Sequence, residues 1–120
     1  PMKILFVDDE ILNTDLYLEY FKTKGGLNAE ALQSPEAAIA YIQQNKPDVV
    51  FLDVGLGEHA SMNGLDVLRA VRRTTPESRI IMLSAYESYE QEAMREGAFA
   101  YMLKPCMPKQ LLEFVSTIYM

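Results

Sequence analysis

Two adjacent carboxylates, Asp8 and Asp9, follow residues 3–7 (KILFV), and a third, Asp53, follows residues 48–52 (DVVFL). Ser84 follows residues 79–83 (RIIML), and Lys104 follows residues 99–103 (FAYML). Each of these runs is short and rich in apolar residues, the pattern of a buried strand. Residues able to bind a cation, hold an oxyanion or attack phosphorus therefore recur at one kind of place, the carboxyl end of a strand. Three carboxylates brought together repel one another unless a cation lies among them. A hard divalent ion suits such oxygen ligands, Mg²⁺ above all, with Mn²⁺ as a substitute. Lys104 would add a positive charge and Ser84 a hydroxyl, both suited to a tetrahedral oxyanion. An Asp-Asp pair alone is often no more than a helix cap, and a lone Ser or Lys-Pro says less. The conjunction at four strand ends is what points to a site.

The segments between these residues must bring them together. Leu12, Leu16 and Tyr20, with Phe21 beside the last, predict a helical stripe that Gly25-Gly26 stops. Residues 28–32 read as a weak strand. Ser34-Pro35-Glu36 then supplies an N-cap, a proline at the first helical position and an acid in the first turn. Ala38, Ile39, Tyr41 and Ile42 carry that helix to Asn45, and Pro47 ends it. A polar loop over 55–63 precedes a helix over 64–73 with Leu65, Leu68 and Val71 facing inward. A helix over 87–96 is closed by Gly97, and the last helix, 108–119, carries Leu111, Leu112, Val115 and Ile118. Five β-α alternations imply an α/β fold, a doubly wound parallel sheet with helices on both faces. In such an open sheet the five polar residues share one edge, where ligands bind.

The bulk properties set limits. The 120 residues read as one domain, 1–120. With 17 acidic against 11 basic residues the formal charge is −6, which argues against direct nucleic-acid binding. Arg69, Arg72 and Arg73 form a dense basic group, read as a solvated helix face. The single cysteine, Cys106, excludes an internal disulfide and reads as inert. The chain runs from its first residues straight into a strand pattern, so no signal peptide is expected. The apolar run 80–83 falls far short of the roughly 20 residues needed to cross a bilayer. A cytoplasmic protein, not a membrane one, is the expectation.

The blocks KILFVDDE (3–10), DVVFLD (48–53), IIMLSA (80–85) and AFAYMLKP (98–105) together resemble the signature blocks of response-regulator receiver domains, over essentially the whole chain. The resemblance implies a five-stranded sheet in the flavodoxin-like order 2-1-3-4-5. It implies that Asp53 takes a phosphoryl group from a sensor histidine kinase or a histidine phosphotransfer domain, making the chain a switch and not an enzyme with turnover. Asp9 and Asp53 would bind Mg²⁺ directly, Asp8 through a metal-bound water, and the Gly55 carbonyl would complete the protein ligands. Ser84 and Lys104 would contact phosphoryl oxygens, and Lys104-Pro105 would be a cis peptide. Tyr101 matches the aromatic that turns inward once Ser84 is captured. The surface near strands four and five would change for a downstream protein target, and the helix 4–strand 5–helix 5 face admits a homodimer.

Two departures accompany the resemblance. Gly57 stands where the family has a proline, and Gly64 lies 11 residues beyond Asp53, so the loop is longer than usual and, with three glycines, expected to be mobile. His59 within it reads as an exposed loop residue. Met107 stands where a capping Asp, Ser or Thr is expected. Two rival readings are a docking domain that keeps the fold without phosphotransfer, and an aspartate-nucleophile phosphatase. The complete set Asp8, Asp9, Asp53, Ser84 and Lys104 counts against the first. The second wants its two acids spaced two apart on strand one, with a cap domain, and has neither here.

Overall fold

The computed structural model describes residues 2–56 and 62–119. Five strands, β1 (Ile4–Val7), β2 (Ala29–Leu32), β3 (Val49–Asp53), β4 (Arg79–Ser84) and β5 (Ala100–Leu103), alternate with α1 (Ile11–Gly25), α2 (Pro35–Asn45), α3 (Gly64–Thr74), α4 (Glu90–Arg95) and α5 (Pro108–Tyr119). The strands pair in parallel in the order β2-β1-β3-β4-β5. Both the expected fold class and the expected strand order hold.

The three central strands are buried on both faces, as a covered parallel sheet requires. Alternate residues feed two cores. Ile4, Phe6, Val49, Phe51, Ile81 and Leu83 pack under α1 and α5. Leu5, Val7, Val50, Leu52, Ile80 and Met82 pack under α2 and α3. Phe6 is the hub of the first core: it stacks on Phe51 and on Tyr17, each with centroids 5.1 Å apart, and meets Phe21 edge-on. Aromatic pairs in these geometries stabilise beyond the area they bury.

That aromatic hub corrects the reading of α1. Its buried residues are Thr14, Tyr17 and Phe21, whereas Leu12 and Leu16 are 85% and 55% exposed. The two stripes sit on different faces of one helix, and both satisfy a helical period. Phe6 and Phe51 decide between them, because Tyr17 and Phe21 together present two rings that fit against theirs, where the other stripe carries Tyr20 beside two leucines.

Helix ends follow their local chemistry. Ser34 Oγ accepts from the Ala37 amide at 3.2 Å, with Pro35 opening α2. Asn63 and Asp66 form a reciprocal capping box on α3, with bonds of 3.1 and 2.9 Å. Met107 cannot cap α5, but Gln110 Oε1 reaches back to accept from the Met107 amide at 2.7 Å. The expected helix over 87–96 divides into a 3₁₀ turn, Glu87–Tyr89, and the short α4, whose one buried residue is Ala93. Arg69 is more than a solvated charge: it reaches Asp66, Glu92 and Glu96, tying α3 to α4. Arg72 lies against the bare Cα of Gly97 (φ +100), where a Cβ would strike the guanidinium. Cys106 is buried and its thiol is pushed up by desolvation, in keeping with an inert reading. Among the described residues no helix is long and apolar enough to cross a membrane.

The turn after Asp53 is firmly held where it is described. Val54 N donates to Leu83 O at 2.8 Å, Leu56 N to Asp53 O at 3.2 Å, and Gly64 N to Val54 O at 3.2 Å. Leu56 is fully buried. Of the loop over 55–63 that was expected to be mobile, residues 57–61, His59 among them, lie outside the described residues. Gly64 closes the turn by lying against the Asp53 carbonyl, and a Cβ there would collide with that backbone oxygen and come within 2.8 Å of the Val54 Cα. Backbone cannot yield as a flexible side chain can. Gly64→Ala should therefore lower the free energy of unfolding by roughly 1–3 kcal/mol, read from urea denaturation; an unchanged midpoint would show that the turn relaxes freely.

Candidate functional site

Parallel pairing brings the predicted residues to one edge. Asp8 and Asp9 follow β1, Asp53 and Ser84 are the last residues of β3 and β4, and Lys104 follows β5. The ladders align Val7 with Leu52, Asp53 with Leu83, and Ser84 with Leu103. Carboxylate oxygens of Asp8, Asp9 and Asp53 lie within 4.8 Å of one another. Lys104 Nζ stands 2.9 Å from Asp53 Oδ1 and 3.8 Å from Asp8 Oδ2. Asp8 Oδ1 accepts from the Glu10 amide at 2.9 Å, and Asp53 Oδ1 from the Gly55 amide at 3.1 Å.

The fourth and fifth strands meet at a shared acceptor. Ser84 Oγ accepts from the Tyr86 amide at 3.0 Å and faces the Tyr86 carbonyl at 3.1 Å. The Tyr101 hydroxyl donates to that same carbonyl, its ring packed half-buried on the α2–α3 side. Lys104 N donates to Ser84 O at 2.7 Å, and the Lys104-Pro105 peptide is cis.

Residues 4–116 match the family model described as the response regulator receiver domain. The chain belongs to that family. It is 40% identical over 113 residues to the alginate biosynthesis transcriptional regulatory protein AlgB of Pseudomonas aeruginosa, covering 91% of this chain and 24% of AlgB. It is 31% identical over 114 residues to the sensory transduction protein LytT of Bacillus anthracis, covering 93% and 45%. The chain thus spans only a quarter to a half of the length of these relatives. Among solved structures it resembles the REC domain of AraT, a response regulator from Geobacillus stearothermophilus, with 30% identity, a TM-score of 0.80, and 98% and 92% of the two chains covered. The receiver domain of NtrX from Brucella abortus matches with 29% identity, a TM-score of 0.81 and coverage of 96% and 95%. Receiver domains of this family are phosphoacceptor signalling modules that work with histidine kinases and downstream effectors.

The charges of this receiver domain are unevenly accommodated. Asp8 is 3% exposed, and burial, with Asp53 adding repulsion, lifts its carboxyl from 3.8 to about 6. Its Oδ2 is a buried oxygen without a hydrogen-bond partner among the described residues. Lys104 is also desolvated, which opposes its charge, but its bond to Asp53 and the field of Asp53 and Asp8 outweigh that and hold the ammonium above its usual range. Among the described residues one ammonium pairs with this cluster of three carboxylates, reaching Asp8 and Asp53. The orphaned Asp8 oxygen and the all-oxygen donor set fit a hard cation, so the cluster could hold a metal ion.

Two contributors were invisible in the sequence. The amides of Glu10 and Gly55 orient the carboxylates, and backbone donors leave no side-chain signature. Gly64, expected as the first residue of a helix, also lies bare against the Asp53 carbonyl, a close approach that spacing along the chain does not show.

The Asp8 shift has a direct consequence for stability. Folded Asp8 titrates near 6 and unfolded Asp8 near 3.8. Below about pH 4 both forms are protonated and folding carries no penalty. The penalty grows as pH rises to about 6 and then stays constant at about 3 kcal/mol. Without divalent cations, Asp8→Asn should therefore raise unfolding free energy at pH 7, by up to about 3 kcal/mol, and the gain should fade towards pH 4. Thermal melts across that range check it; a gain independent of pH would place the penalty elsewhere.

Proposed function

We propose that Asp53 is the phosphoacceptor of a two-component switch, charged by a histidine kinase or histidine phosphotransfer domain with Mg²⁺ as cofactor. The observation that carries this reading is the Lys104 ammonium 2.9 Å from an Asp53 oxygen, within an under-neutralised carboxylate cluster. Asp9 and Asp53 would hold Mg²⁺ directly, Asp8 through water, and the Gly55 carbonyl would complete the set. The ion, when bound, neutralises charge spread over the phosphoryl oxygens.

The chain's own groups do the remaining work. The Gly55 amide and Lys104 orient the Asp53 carboxylate, whose oxygen attacks phosphorus in line with the departing histidine nitrogen. Lys104 Nζ and Ser84 Oγ donate hydrogen bonds to the equatorial phosphoryl oxygens. Once Ser84 turns its hydroxyl to a phosphoryl oxygen, the Tyr86 carbonyl loses one of its two partners. Tyr101, the other, is left to hold it, and the surface around β4 and β5 settles into a second arrangement. That face exposes Tyr89, Met94, Phe99 and Leu103, suited to a protein target or a second copy. Later hydrolysis of the acyl phosphate makes the signal self-limiting. A formal charge of −6 offers little to nucleic-acid phosphates, so the proposed partners are proteins, and the setting proposed for them is the cytoplasm.

Asp53→Asn should abolish labelling by acetyl phosphate in the presence of Mg²⁺, because the near-isosteric amide cannot attack phosphorus. Full labelling of that variant would move the acceptor to another residue. The lifetime of the phosphoryl group is set by water reaching it past residues 55 and 86. Gly55 leaves one side open, while the Tyr86 ring, exposed and edge-on to Tyr89 at 6.4 Å, screens the other. Tyr86→Ala should speed phosphate release several-fold, roughly 1 kcal/mol of barrier. Release at the unmodified rate would show that the ring is not the gate.

A further inference from the structure

Tyr17 stacks on Phe6 from the buried face of α1 and is only 7% exposed. A phenylalanine would provide that packing. A buried hydroxyl, by contrast, costs free energy unless it is bonded, so the phenol oxygen needs its own account. It donates to the carbonyl of Cys106 at 3.0 Å, a buried bond between residues 89 positions apart in the chain.

Cys106 lies two residues beyond Lys104, across Pro105. Proline has no N–H, so its own nitrogen cannot tie this stretch to the sheet. On the near side, Lys104 N is bound to Ser84 O at 2.7 Å. On the far side, the thiol of Cys106 reaches Leu103 O at 3.2 Å, but a thiol is a weak donor and that bond is local. The Tyr17 hydroxyl is the strong tie from the body of the fold. Among the described residues, hydrogen bonds thus tie the backbone carrying Lys104 to β4 on one side and to α1 on the other, while the buried Cys106 side chain packs in the same core as Tyr17.

We propose that Tyr17 is a positioning residue for phosphoryl transfer, fixing the 105–106 backbone so that Lys104 Nζ stays in reach of Asp53 and the arriving phosphoryl oxygens. This rests on the phosphoacceptor reading above. A lysine side chain has four rotatable bonds, and its ammonium is well placed only if its backbone origin is held. Release of one anchor lets that origin drift while leaving the carboxylates of Asp8, Asp9 and Asp53 where β1 and β3 put them. The expected damage is therefore to the rate of transfer and not to cation binding.

The test uses the whole chain, acetyl phosphate as donor and saturating Mg²⁺. Tyr17→Phe keeps the ring on Phe6 and removes only the donor. Its maximal labelling rate should fall roughly ten-fold, with Mg²⁺ affinity by titration calorimetry within about two-fold of the unmodified protein. In a Lys104→Ala background the same substitution should cost nothing further, because Tyr17 acts through Lys104. Tyr17→p-aminophenylalanine, which returns a donor to the same carbonyl, should label within about two-fold of the unmodified protein and keeps the test open should the Phe variant not fold. A lowered urea midpoint for Tyr17→Phe with an undiminished rate would overturn the proposal, as would an equal loss in the Lys104→Ala background. Normal labelling of the unmodified chain in those experiments confines the failure to Tyr17. Absence of that labelling at Asp53 would instead overturn the phosphoacceptor reading itself.

Discussion

Mutual repulsion among Asp8, Asp9 and Asp53 is the constraint around which the rest of the molecule is arranged. Their oxygens lie within 4.8 Å of one another, and among the described residues one ammonium, that of Lys104, pairs with them, at Asp8 and Asp53. Left in a pliable setting, such a group would splay apart into water. It cannot do so because Asp8 and Asp53 extend directly from the two strands at the centre of the sheet, and both sit almost wholly buried. Burial above all, with Asp53 adding repulsion, lifts the Asp8 carboxyl to about 6, while aromatic and aliphatic packing on both sides of β1 and β3 resists the splaying. Stability given up at a binding edge and recovered in the core is a recurring feature of functional sites.

The opposite half of the edge is built more loosely. β5 is the outer strand, its residues are half-buried or exposed, and α4 is short with one buried side chain. The Arg69 pairs that tie α4 to α3 are about 40% exposed, a setting in which ion pairs stabilise little. Ser84 and Tyr101 share the Tyr86 carbonyl, a contact that one hydroxyl can vacate without disturbing the core. Rigid carboxylates beside a lightly held face suit a device whose chemistry must be fixed and whose surface must change. The α1 side contributes the rigid part through Tyr17, which reaches from the Phe6 stack to the loop after Lys104.

Much of this was determined by the sequence alone. Strand runs ending in Asp8, Asp53, Ser84 and Lys104, separated by helix-length segments with readable caps, suffice to specify a doubly wound sheet. The rule that such sheets bind at their carboxyl edge then collects the site. Local chemistry of this kind is legible because caps, breakers and apolar runs act over a few residues. Only the tertiary structure decided which face of α1 is buried, since the Leu12–Leu16 and Tyr17–Phe21 stripes both obey the helical period and the choice lies with rings on other strands. It decided that Arg69 bridges helices, that Gly64 must lie bare against the Asp53 carbonyl, and that Asp8 is buried deeply enough to be lifted by desolvation. These depend on distances between residues far apart in the chain, and such distances are set by packing, not by spacing along the sequence.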